Sequence, residues 1–223
     1  MSEFNFKQAE WDQIVRENQD FKAQVGRPFD DELWQALIDD VEKKLAFSMQ
    51  GNKVLDVGCG NGLLLSKLLS NCSEYSGVDY SEAMIEEAKK LLPIGFFYQS
   101  QANKLPFDTD QFDRVLSYSI FHYFPSYDYA LSAIKEMIRV CKPGGVILIG
   151  DVLDSQFEKE IKGTSNLEYE KTIPLIHRYS KWRFFNFEKL LAYLAPHVDR
   201  IEVLSQPEVF PLSDYRKDIR LWV

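Results

Sequence analysis

The stretch that most constrains this chain is 54–62, Val-Leu-Asp-Val-Gly-Cys-Gly-Asn-Gly, which runs on into Leu63, Leu64 and Leu65. A short apolar run that breaks into glycines at every second position and resumes as a helical pattern is a strand–turn–helix unit. The glycines let the backbone approach a ligand where a Cβ would otherwise stand. The amides that open the helix then face the ligand's polar parts.

A beat repeats around this unit. Period and turn residues predict strands over 53–57, 75–78, 95–99, 112–117 and 146–152, and helices over 63–69, 82–92 and 129–140. Strands alternating with helices imply a parallel sheet covered on both faces, with the ligand site at the strands' carboxyl ends where strand order reverses. Upstream, an amphipathic helix and loop break at Gly26-Arg27-Pro28. A second helix then starts at Asp30, its Leu33, Trp34, Leu37, Ile38, Val41 and Leu45 at three- and four-residue steps, and Gly51-Asn52 closes it. Its late Lys43 and Lys44 suit the helix dipole. Downstream, 154–185 scatters aromatics among charges without a period and reads as a cap. Helix 188–194 and strands 200–204 and 219–223, the last two an antiparallel pair, complete the chain.

The expected fold is therefore α/β: a Rossmann-like, doubly wound sheet of seven strands, mostly parallel with an antiparallel edge hairpin. One domain over 1–223 would comprise a helical leader 1–50, a core 51–153, a cap insertion 154–185 and a C-terminal part 186–223.

Composition narrows the partners. A net charge of −8 without a Lys/Arg run speaks against nucleic acid. Apolar runs such as 146–149 are too short to span a bilayer, and the start lacks a secretory signal pattern. Three cysteines and three histidines, all widely spaced, suit a reducing compartment and neither a disulfide framework nor a metal centre. These features predict a cytoplasmic monomer or homodimer with no membrane or nucleic-acid partner and no metal.

The glycine spacing bears on the ligand. A dinucleotide fingerprint needs Gly-x-Gly-x-x-Gly, but Leu63 stands three past Gly60 and the third glycine is Gly62. No Gly-Lys-Ser/Thr follows, which excludes a Walker loop. Asp56, at the end of the first strand, suits a cationic ligand better than a pyrophosphate. Asp79, at the end of the second, can accept hydrogen bonds from both hydroxyls of a ribose. An amino-acid head, a positive sulfur and a ribose–adenine tail together describe S-adenosylmethionine.

The residues at 54–62 resemble the first motif of the class I S-adenosylmethionine-dependent methyltransferases, of small-molecule type. Gly77-Val78-Asp79-Tyr80-Ser81-Glu82-Ala83-Met84 resembles their second-strand motif, and 102–107, 112–117 and 140–145 match the later ones in order and spacing. The resemblance is dense over 50–153. It implies that the backbone at Gly58, Cys59, Gly60 and Gly62 takes the methionine portion, with Asp56 shaping the loop. Asp79 would hold the ribose, Tyr80 and Met84 lie by the adenine, Gln101 and Ala102 meet its edge, and Ser117 offer its carbonyl near the amino group. The family often has Asp where Gln101 stands. Cys59 reads as a buried filler.

On the acceptor side, His122 follows the fourth strand and is the candidate general base, with a pocket-wall role as the alternative; Tyr123 is a weaker contender. In the cap, His177, Tyr179, Trp182 and Arg183 are candidates for substrate contact, although most of the aromatics read as packing. Trp11, Arg16 and Phe21 would form the opposite lip of the cleft. The expected activity is methyl transfer to an oxygen or nitrogen of a small molecule. Methylation of a protein, or cofactor binding without turnover, are the alternatives.

Overall fold

The computed structural model describes residues 3–27, 29–48, 51–211 and 213–223. The chain's first two residues, Pro28 in the expected break and Gln50 at the end of the leader lie outside them.

Among the described residues seven strands form one sheet in the order β3-β2-β1-β4-β5-β7-β6. In chain order these are β1 (Asn52–Val57), β2 (Cys72–Asp79), β3 (Phe96–Gln99), β4 (Phe112–Tyr118), β5 (Cys141–Leu153), β6 (Arg200–Ser205) and β7 (Arg216–Trp222). The first five pair parallel; β7 runs antiparallel to both β5 and β6. Strand order reverses between β1 and β4, so the crevice that such a sheet offers to a ligand opens at their carboxyl ends.

The helices are α1 (Glu3–Glu17), α2 (Phe21–Gln24), α3 (Asp31–Leu45), α4 (Leu63–Lys67), α5 (Glu82–Leu91), α6 (Tyr127–Val140), α7 (Glu158–Gly163), α8 (Leu167–Glu170) and α9 (Phe187–Leu194). Strand side chains alternate between faces, and the core divides accordingly. Leu55, Val57, Val115 and Ile147 pack with Ile134 and Met137 of α6 and Leu190 of α9. Leu116 and Leu148 face Leu37, Val41 and Leu45 of α3. Val54 and Phe97 meet Leu65 of α4 and Ile85 and Ala88 of α5.

Several boundaries differ from the pattern. α3 stops at Leu45, because Ala46 turns left-handed (φ 48°) and its carbonyl accepts from Arg114 at 2.6 Å. α4 ends at Lys67 and tightens into a 3-10 turn over Leu69–Asn71, since β2 already begins at Cys72, paired with Asn52. Pro143-Gly144-Gly145 does not precede the fifth strand but lies within it, where the Gly144 amide bonds the Val223 carbonyl. Lys44 is buried on the core side of α3, donating to Asp218 at 2.7 Å and to Asp40. It does lie in the last turn of α3, as the dipole prefers, but its head is turned inward onto these two acids.

The segment after β5 is a set of short helical turns whose base is closed by the Asp154–Phe185 bridge. It is fastened to α1, where Glu10 accepts from the amides of Leu175 (2.7 Å) and Ile176 (3.1 Å). Leader and cap thus meet over the open end of the sheet.

Candidate active site

The turn after β1 is bound to the end of β2 before any ligand is considered. The amides of Gly58 (2.7 Å) and Cys59 (3.0 Å) both reach the Val78 carbonyl, and the Gly60 amide reaches Asp79 Oδ2 at 3.0 Å. Asp79 Oδ1 accepts from the Ser81 amide at 2.9 Å. Gly58 has φ 80°, and a Cβ there would lie 2.7 Å from Ile120, so position 58 requires glycine on both counts. Gly62 also has a positive φ, but its free side faces Ala88 of α5 and Leu92 just past its end, so it serves helix packing.

A cavity of about 630 Å³ opens above this turn, within the range that encloses small ligands. Asp56, Gly58, Cys59, Gly60, Asp79, Tyr80, Met84 and Ala102 line it. Gly62, Gln101 and Ser117 do not. Gln101 is exposed, with Ser100 lining the cavity in its place. Ser117 is fully buried and its hydroxyl donates to the Val57 carbonyl at 2.9 Å, tying β4 to β1.

Two carboxyls dominate this end. Burial, and then the charge of Asp79, push the Asp56 carboxyl up to about 8. Burial raises Asp79 to about 6 against the opposing pull of its amide donors. Such a pair is stabilised by an arriving cation. Burial also drives the Cys59 thiol well above its usual range, which keeps it protonated and fits a packing role. Phe4 of α1 packs against Tyr80 with centroids 5.1 Å apart and the rings tilted, and the Gln8 side-chain amide donates to the Tyr80 carbonyl at 2.8 Å.

At the other end stand His122, Tyr123, His177, Tyr179 and Trp182. His122 is 1% exposed and packs against Tyr123 (4.0 Å) and Trp182 (5.0 Å). Burial, reinforced by Arg216, pushes its imidazole well below the ordinary value, and its Nδ1 has no partner among the described residues. Arg183 points elsewhere: it donates to the carbonyls of Phe124 (3.0 Å) and Pro125 (2.6 Å), stapling the loop after β4. Of the three leader residues, Trp11 lines the cavity, edge-on to Tyr123, while Arg16 and Phe21 do not.

Sequence reasoning missed an Arg27–Asp151–Arg216 cluster in this wall. Asp151 Oδ2 accepts from Arg27 at 2.6 Å, from Arg216 and from Ser119 Oγ. The two arginines hold the Asp151 carboxyl far below the usual carboxylate range despite its burial. One signal was available: Asp151 is an acid near the carboxyl end of a predicted strand, as Asp56 and Asp79 are.

Residues 55–149 match a family model described as a methyltransferase domain. Over 105 residues the chain is 37% identical to a demethylmenaquinone methyltransferase of Staphylococcus aureus, covering 44% of this chain and 42% of that protein. Over 106 residues it is 31% identical to a chondramide synthase of Chondromyces crocatus, covering 44% of this chain and 3% of that one. The chain thus spans less than half the length of either relative. The N-methyltransferase NodS of Bradyrhizobium japonicum, solved with S-adenosylhomocysteine, shares the fold with a TM-score of 0.67 at 15% identity, covering 96% of this chain and 97% of that one.

Residues 55–149 therefore form a methyltransferase domain, on a fold shared with solved S-adenosylmethionine-dependent methyltransferases. The residues fit that family's cofactor: a glycine cradle that a Cβ would fill at position 58, and two buried acids with nothing cationic bonded to them among the described residues. No helix among the described residues is long and apolar enough to cross a membrane.

Proposed function

We propose that this single-domain chain transfers a methyl group from S-adenosylmethionine to an oxygen or nitrogen of a small molecule in the cytoplasm. One observation carries the reading: a single cavity runs from Asp56 and Asp79 to His122 beneath the leader and cap. When bound, the cofactor supplies an electrophilic methyl on a cationic sulfur. Asp79 is suited to accept from the ribose hydroxyls, and the backbone of Gly58 and Gly60 to lie along the amino-acid portion. Ionised Asp79, with Asp56 giving up its proton as the guest arrives, favours a cationic guest.

In-line displacement at an activated carbon asks mainly for alignment and exclusion of water. Trp11, Tyr123 and Trp182 form apolar walls around the acceptor end. His122 is uncharged at neutral pH, so its unpartnered Nδ1 can accept the hydrogen of an acceptor hydroxyl or amine and aim its lone pair. Enclosure of this end by α1 and the cap favours a small acceptor over a protein. Gln101, where the sequence departs from the family pattern, stands outside the cavity.

The test is a panel of small hydroxyl and amine acceptors assayed for S-adenosylhomocysteine. Formation of product with at least one acceptor, lost on steric filling of the acceptor end by Tyr123→Trp, is expected. Cofactor binding without turnover on any acceptor would leave the sensor reading in its place.

A further inference from the structure

The charges in the cavity are sorted by end. Asp56 and Asp79 face the cofactor end, whereas Arg27 and Arg216 face the acceptor end with one acid, Asp151, between them. Two guanidiniums against one carboxylate leave an excess of one positive charge on the wall. Lys44 lies between Asp40 and Asp218, and none of the three lines the cavity. Gln206, which links Asp151 (3.3 Å) to Asp218 (3.0 Å), is neutral. Burial keeps the Tyr123 phenol protonated and both His122 and His177 uncharged, and the nearby acid Glu10, which does not line the cavity, is taken up by the Leu175 and Ile176 amides.

The guanidiniums are held in place from several sides. Arg27 lies over the rings of Phe29 (5.4 Å) and Tyr118 (5.1 Å), and Arg216 over Trp182 (5.2 Å). Asp151 and Ser119, both non-glycine residues, are left-handed, with φ 67° and 62°. The pairing of β5 with β7 shifts register between Ile149 and Val152, a bulge that turns Asp151 inward. Conformations of this kind persist where a site over-determines them.

A strut that merely joined leader to β7 would use up its donors. Arg216 does not: Nη1 goes to Asp151, while Nε is buried without a partner and Nη2 has none among the described residues. That Nε–Nη2 edge is the fork that grips a carboxylate in two parallel hydrogen bonds. His122, whose buried Nδ1 is also without a partner among the described residues, lines the same end. Buried polar atoms without partners call for an explanation, and a ligand supplies one here.

We infer that the methyl acceptor is a carboxylic acid on a flat apolar body, its carboxylate held by the Nε–Nη2 edge of Arg216 beside Arg27. A single excess charge matches a monoanion and undercompensates a phosphate dianion. The apolar body is received by Phe29, Trp34 and Phe210. The inference rests on the methyl-transfer reading of the same cavity.

The experiment titrates the protein, saturated with S-adenosylhomocysteine, with benzoate, salicylate and indoleacetate, each beside its amide, by calorimetry. At least one carboxylate should bind about tenfold tighter than its amide, as a hydrogen bond to a charged acceptor implies. Arg216→Met should abolish that preference. Arg216→Lys keeps a cation beside Asp151 but lacks the fork, so it should fold normally, bind S-adenosylhomocysteine as the native chain does, and still lose most of the preference. Equal binding of acid and amide, no carboxylate binding, or an Arg216→Lys variant with its preference intact would each overturn the inference. Failure to bind S-adenosylhomocysteine at all would instead strike the methyl-transfer reading.

Discussion

Asp79 Oδ2 accepts the backbone amide of Gly60 at 3.0 Å, so the acid that ends β2 also fixes the glycine turn that follows β1. One carboxylate then shapes the cradle and faces what the cradle holds. Asp79→Ala removes both actions, and cofactor affinity should fall by more than ~1 kcal/mol, the worth of hydrogen bonds to a charged acceptor. Calorimetry with S-adenosylhomocysteine measures this directly; unchanged affinity would remove the ribose assignment.

The same two carboxyls predict a pH dependence. Burial pushes the Asp79 carboxyl up to about 6 and the Asp56 carboxyl up to about 8, both above the ordinary carboxylate value. Because these values are raised by folding, their contribution to stability is complete at acid pH, below the unfolded carboxyl range. It is lost as pH climbs through those two values. Cofactor binding runs the opposite way, since a cationic guest needs the ionised acids. Affinity for S-adenosylmethionine should therefore rise between those two values, with protons released on binding. Calorimetry in buffers of different ionisation enthalpy counts them, and affinity that falls with pH would contradict the pairing.

Position 58 can be tested by adding one methyl group. Alanine there must adopt φ 80° and bring its Cβ to 2.7 Å from Ile120, whose side chain has to move. The left-handed backbone alone costs about 1–2 kcal/mol, so Gly58→Ala should lower unfolding stability by at least that much. Urea denaturation reads it. Gly144→Ala, also at positive φ but with open space around it, separates the backbone cost from the contact.

The sheet was legible because its signals are local. An apolar run, a glycine turn and an amphipathic helix lie within a few residues of one another, and the acids Asp56 and Asp79 end their strands in plain view. The acceptor end was not legible. Arg27 and Arg216 sit at opposite ends of the chain and meet only because the leader folds over a hairpin that returns to the sheet. Neither lies in a periodic segment. Lys44 was readable in part: it falls three residues after Val41 and seven after Leu37, on the apolar stripe of α3. A lysine on that stripe is buried when an acid waits for it, as Asp218 does here.

Removing Lys44 should be expensive. It is 7% exposed and bonds Asp218, which is fully buried, at 2.7 Å, together with Asp40 and the Ser205 carbonyl. Burial raises the Asp218 carboxyl even with this cation beside it. Lys44→Met would strand a buried carboxylate, at a cost of about 3–5 kcal/mol. Lys44→Met with Asp218→Asn, which removes both charges, should recover a good part of it. Denaturant midpoints of the single and double variants decide whether the pair acts as a unit.

His122 gives the sharpest kinetic prediction. Its imidazole value is depressed by burial first and by Arg216 next, with Asp151 pulling the other way. A histidine depressed by folding contributes stability that is present above its unfolded value, near about 6.5. That contribution is lost as pH falls towards the folded value. Over the neutral range the ring stays uncharged, so no turnover step should follow an ordinary histidine titration there. If Nδ1 takes the acceptor's hydrogen, His122→Ala should lower kcat by about 100-fold or more, with S-adenosylhomocysteine affinity unaffected. His122→Asn, whose amide oxygen can still accept, should retain part of the rate. Turnover by the alanine variant equal to that of the native chain from about pH 6 to pH 9, the span on either side of an ordinary imidazole, would reduce His122 to a wall of the pocket.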